Sequence, residues 1–148
     1  MSASTVSSDL SPTLRQALVE DQFSAWIGAT LDEVRPGYAR MTLTVRPEQC
    51  GPHGLTHGGT VMALAEAALA AATHADNRVH LALNVNVTFH SATRPGDRLT
   101  ATVEEQRAGN RTGGYAITVT DQDGTLVASC QAVVYRTREP LVEMENGE

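Results

Sequence analysis

The chain has no lysine; all eleven of its basic residues are arginine. A lysine Schiff base and a P-loop lysine are therefore excluded. Its two cysteines, Cys50 and Cys130, stand in no zinc-ligand spacing. Neither a disulfide scaffold nor a metal site is expected, and a reducing cytoplasmic setting fits. Aromatic residues make up only 4% of the chain, which leaves Ala, Val and Leu to build the core. No apolar run reaches the ~20 residues of a membrane span; the most apolar stretch, Val61 to Ala72, is interrupted by Glu66. The first twenty residues lack a basic segment followed by an apolar one, so no secretory leader is expected. Positive charge is scarce as well. A net charge of −6 argues against a nucleic-acid footprint; with no span either, neither nucleic acid nor membrane is an expected partner.

What is present is enough for one domain: 148 residues, 41% of them hydrophobic. Residues 1–9 read as a flexible N-terminus, 10–138 as a single domain and 139–148 as a flexible tail. Ser11 and Pro12 open a short helix as N-cap and first helical residue, with Leu14, Leu18 and Phe23 as its apolar stripe. A hairpin follows around Pro36-Gly37, its second arm alternating Ala39, Met41, Leu43 and Val45 with polar residues. After a glycine-rich loop over 47–59, a helix is predicted from Thr60 to about His74. Four strands then fill 79–90, 99–106, 115–120 and 126–136, joined by short turns. The pattern is α+β: one antiparallel sheet, curved around a single long helix.

Between His57 and His74 the only ionisable side chain is Glu66. The rest of the helix is apolar or small, as in a core helix, and an isolated carboxylate there needs a partner or a purpose. Met62, Leu69, Ala70 and Thr73 share its strip one turn either way, whereas a solvent strip would carry more charge. Gly58 and Gly59 precede it at the helix start, where unpaired backbone N–H groups and the positive dipole end can polarise a carbonyl oxygen. Two turns separate the features, about 12 Å along the axis, too far for both to reach one carbonyl within a single chain. Either a second copy brings its own Glu66 to these glycines, or the two features are unrelated; an active site built from both must be shared between two copies. His57 and His53 read either as loop anchors or as members of that site. No G-x-S-x-G elbow exists, and neither cysteine has a triad context.

The run Gly51-Pro52-His53-Gly54-Leu55-Thr56-His57-Gly58-Gly59, followed by Leu64-Ala65-Glu66, resembles the signature of hotdog-fold acyl-CoA thioesterases. It is similar above all to the phenylacetate-degradation (PaaI-type) branch, whose pattern is near N-x-H-G-x-x-H-G-G-x-x-x-x-L-A-D. Asn86-Val87-Thr88-Phe89 through Gly96-Asp97, and Gly109-Asn110-Arg111-Thr112-Gly113-Gly114-Tyr115, agree with later segments of that family. The resemblance covers about residues 25–136. It implies a hotdog fold, dimers often paired into tetramers, and active sites at the subunit interface. Glu66 would activate water or attack the thioester carbonyl itself. A backbone N–H of Gly58 or Gly59 from the partner would hold the oxyanion, and His57 would orient the helix start or assist at the carbonyl. The substrate would be an aryl- or medium-chain acyl-CoA, with no further cofactor.

Three departures mark this chain. The PaaI-type branch usually has Asp where Glu66 stands, while the related 4-hydroxybenzoyl-CoA thioesterases use Glu. The loop position commonly Asn or Gln is Gly51, leaving Gln49 or His53 to replace its polar contact. Ala70 stands where a Thr or Ser often follows the Glu, with Thr73 as substitute. For the polyanionic coenzyme, Arg111 with Asn110 and Thr112, and then Arg94, are the candidate phosphate ligands. A hydratase of the same fold and a non-catalytic acyl-CoA-binding module are the rival readings.

Overall fold

A computed structural model of the chain describes residues 5–6 and 9–147. The other residues of the expected N-terminal flexible segment lie outside that range. Thr5–Val6 forms a two-residue strand, β1, parallel to the next one. Helix α1 (Pro12–Val19) starts as its sequence predicts, with Ser11 Oγ accepting from the Leu14 N–H at 3.2 Å and Leu14 and Leu18 buried. Phe23 does not extend its stripe. Asp21 caps a second short helix, α2 (Gln22–Ile27), by accepting from the Ser24 N–H at 2.8 Å, and Gly28 ends it in the left-handed region.

Strands β2 (Ala29–Arg35) and β3 (Tyr38–Thr44) form the expected hairpin. Helix α3 (Gly58–His74) follows, then β4 (Arg78–Phe89), β5 (Arg98–Ala108), β6 (Thr112–Thr120) and β7 (Leu126–Pro140). The sheet order is β1-β2-β3-β5-β6-β7-β4, antiparallel apart from β1. Register shifts in β2, β4 and β5 bend the ladder, and the curved sheet holds α3 against its concave face. Leu64, Ala65, Ala68 and Ala72 of the helix are buried against Met41, Leu43, Val103, Ile117 and Ala128. Alanine on that face lets the helix axis lie close to the strands. This is the helix-in-sheet arrangement of the hotdog fold.

The chain reverses at the end of α3, where Asn77 takes φ 60°. Asp76 there accepts from the ring of His80 at 3.0 Å and lies 3.6 Å from the Arg136 guanidinium. Burial pushes the Asp76 carboxyl up, but the hydrogen bond and charge of His80, the Arg78 N–H and Arg136 outweigh it and hold the carboxyl below its ordinary range. The C-terminal tail begins later than residue 139. Strand β7 runs to Pro140, Leu141 and Val142 pack on the core, and Asn77 exchanges two hydrogen bonds with the Val142 backbone. Partners sixty-five residues away order this segment. Among the described residues no helix is long and apolar enough to cross a membrane.

Candidate active site

Helix α3 runs from the glycine-rich loop to the Asp76 cluster, and β4 returns beside it. The two ends of the helix are therefore distinct places. At its start, His57 is the N-cap. Its Nδ1 accepts from the Gly59 N–H at 2.9 Å, a bond that requires the neutral imidazole with its proton on Nε2, and its carbonyl accepts from the Thr60 N–H at 2.9 Å. The Gly58 N–H is the one left without an acceptor among the described residues. No acidic side chain occupies the first turn to offset the dipole. Of the two candidate amides, that of Gly59 is engaged within the chain and that of Gly58 is not, among the described residues. A Cβ at residue 58 would stand 3.1 Å from Cζ of Phe89, tight enough that the ring would have to shift.

The loop before the helix is held from several sides. The Gln49 carbonyl accepts from the His57 N–H at 2.9 Å and from Thr60 Oγ1 at 2.8 Å. The Gln49 side chain accepts from the Arg46 N–H at 3.0 Å and donates to the Ile27 carbonyl at 2.7 Å. It is a brace between α2 and the loop, with one amide hydrogen and one oxygen lone pair already engaged. His53 Nδ1 accepts from the Leu55 N–H at 3.1 Å, and its ring covers Gly51. His57→Ala is expected to lower the unfolding free energy by about 1 kcal/mol, the ordinary value of an N-cap. Urea denaturation reads it; an unchanged midpoint would show that the cap bond adds nothing.

Glu66 lies two turns on, on the one exposed strip of α3, together with Met62 and the half-buried Ala63 and Ala70. Leu69 and Thr73, expected on this strip, face the core instead. Thr73 Oγ1 donates to the Ala70 carbonyl at 3.2 Å within the helix, so it offers Glu66 nothing. No hydrogen bond or ion pair reaches Glu66 among the described residues, and burial among apolar neighbours pushes its carboxyl up from the ordinary value of 4.5. Beside the helix, β4 is a twelve-residue edge strand that exposes Leu81, Leu83 and Phe89.

Two cavities flank the helix start. One of about 590 Å³ lies on the α2 side against Gln49, His57 and Gly59. The other, about 430 Å³, lies on the β4 side against His53, Gly58, Phe89 and His90. His90 Nε2 is 2.8 Å from Ser129 Oγ, a pair that no carboxylate orients among the described residues. The candidate phosphate ligands separate. The Arg94 turn adjoins the helix start, since the Thr93 carbonyl accepts from the Thr56 N–H at 2.8 Å. The turn of Asn110, Arg111 and Thr112 lies at the other end of α3, where the Arg111 carbonyl accepts from the Arg136 N–H at 2.7 Å. Among the described residues no group of three or more His, Cys, Asp or Glu side chains is placed to hold a metal ion.

Comparison with known proteins agrees with this fold. The family model described as the thioesterase superfamily matches residues 53–128. Acyl-coenzyme A thioesterase PaaI of Escherichia coli is 30% identical over 102 residues, 69% of this chain and 73% of that one. The structure of the E. coli PaaI protein from the phenylacetic acid degradation operon superposes with a TM-score of 0.80 at 27% identity, over 86% of this chain and 94% of that one. A mutant of the phenylacetic acid degradation protein PaaI from Thermus thermophilus gives 0.76 at 30% identity, over 79% of this chain and all of that one.

Proposed function

This chain belongs to the thioesterase superfamily, as a thioester hydrolase of the PaaI-type hotdog branch, and from that premise we propose that it hydrolyses acyl-CoA at a site shared by two copies. One observation carries the reading. An acid without partners and an amide without an acceptor stand on the same helix, about 12 Å apart, along a strip that is otherwise apolar.

The unpaired N–H and C=O groups of β4 favour strand addition, and its exposed leucines and Phe89 favour the same partner, a second copy. Antiparallel pairing of β4 with its symmetry mate would set the two α3 helices antiparallel. Glu66 of each copy would then approach Gly58 of the other. Arg94 of one protomer and the Arg111 turn of its partner would converge on the coenzyme phosphates. Exposed Val133 and Tyr135 on β7 suit a second contact between dimers, giving a tetramer.

Two routes fit a carboxylate in this position. As general base, Glu66 takes a proton from water while the oxygen attacks the thioester carbon, and the tetrahedral intermediate then collapses with loss of CoA thiolate, which the proton held by Glu66 neutralises. As nucleophile, its oxygen attacks that carbon, CoA thiolate leaves, and water cleaves the mixed anhydride. In both, negative charge develops on the carbonyl oxygen, and the Gly58 N–H is aimed to hold it. His57 acts by keeping the Gly59 amide occupied and the helix start fixed. The occupied state of Gln49 and Thr73 favours one second reading, an acyl-CoA-binding protein without turnover. A thiol-trapping assay over a panel of acyl-CoA esters separates them: release of CoA is expected, and tight binding with no release overturns the proposal.

A further inference from the structure

The α2 side of the helix start carries an aromatic ledge that catalysis does not explain. In a chain with only six aromatic residues, Phe23 and Trp26 lie on one short helix with ring centroids 6.1 Å apart. Both are exposed, Trp26 at 75%, although it is the sole tryptophan of the chain. The ledge is not loose. Arg46 Nη2 donates to the Trp26 carbonyl at 3.2 Å and Gln49 Nε2 donates to the Ile27 carbonyl at 2.7 Å. Gln49 is also the residue whose carbonyl holds His57 and Thr60. The last turn of α2 and the start of α3 are thus braced through one side chain. Between them lies the 590 Å³ cavity, walled by Phe23, Trp26 and Ile27 on one side and by His57 and Gly59 on the other. That volume suits a small ligand group.

Charge decides which group. Arg46, the only basic side chain lining this cavity, is paired with Glu48 at 3.1 Å, so no uncompensated positive charge awaits a phosphate. We infer that Phe23 and Trp26 form the acyl-group wall of the site and select a planar aromatic acyl group over a short straight chain. This rests on the thioesterase reading above. The coenzyme arm would then leave on the β4 side, past His53 and His90 toward Arg94.

Trp26 is its own reporter. Titrating the wild-type protein with S-phenacyl-CoA, a thioether that cannot be hydrolysed, should quench or shift its emission. Coenzyme A alone and S-butyl-CoA should leave it nearly unchanged. An equal response to all three would mean that Trp26 meets the nucleotide, and no response to any would mean that it meets neither; each overturns the inference. These titrations do not depend on turnover, so they stay decisive if hydrolysis fails. In the assay, Trp26→Ala should lower the ratio of kcat/KM for benzoyl-CoA to that for butanoyl-CoA by about tenfold or more, and Trp26→Phe should largely restore it. A ratio unmoved by Trp26→Ala, or a change in oligomer mass without a change in ratio, counts against the wall.

Discussion

Replacing Glu66 by Gln should lower kcat by about a thousandfold or more, since the substitution removes either the base or the nucleophile and nothing nearby can take its place. The fold should survive. Glu66 makes no hydrogen bond or ion pair among the described residues, so the amide leaves no partner behind. The pKa direction sharpens the expectation. A carboxyl pushed above 4.5 by burial is less willing to ionise folded than unfolded. Its contribution to stability is full below the unfolded pKa and is lost as pH rises through the folded one. At pH 7 the charged acid therefore works against folding, and Glu66→Gln should leave the melting temperature unchanged or raised. Because only the carboxylate can act, the acid limb of the wild-type pH–rate profile should have its midpoint above 4.5. Near-normal turnover of the variant would refute the assignment. Oxygen-18 from water entering Glu66 in a single turnover would identify the nucleophilic route.

The parts of the molecule legible in the sequence are those set by local rules. Alternation fixed the faces of β3, and Ser11-Pro12 marked the start of α1, because capping and pleating act over a few residues. The break between α1 and α2 was equally local, an Asp21 cap and a Gly28 stop, but the apolar spacing of Leu14, Leu18 and Phe23 masks it. The ordering of residues 139–142 was not legible, since it depends on Asn77 across the fold. In the site, the isolation of Glu66 shows in composition alone. The difference between Gly58 and Gly59 does not, because it turns on where the His57 ring points. Gln49 and Thr73 have suitable chemistry, yet they already bond Ile27, Arg46 and Ala70. Spacing cannot reveal which polar groups are already satisfied. Nothing in the sequence pattern marked Trp26, since its exposure is a property of how α2 docks.

Mixing two inactive variants should restore activity if the site is shared. Gly58→Val sets a branched side chain where even a Cβ lies 3.1 Å from Phe89, which obstructs the free amide; Glu66→Gln removes the acid. Each homodimer carries two defective sites. Unfolded and refolded together in equal amounts, half of the dimers should be mixed. In a mixed dimer one site combines both lesions, and the other joins an intact Glu66 to an intact Gly58. The expected recovery is about a quarter of wild-type activity. A site contained within one chain predicts none, because every protomer in the mixture carries one lesion. The same reasoning covers β4. Leu83→Asp on the exposed edge should yield monomers, and these should be inactive although their own Glu66 and Gly58 are untouched, since about 12 Å of helix keeps those two groups apart in any single copy.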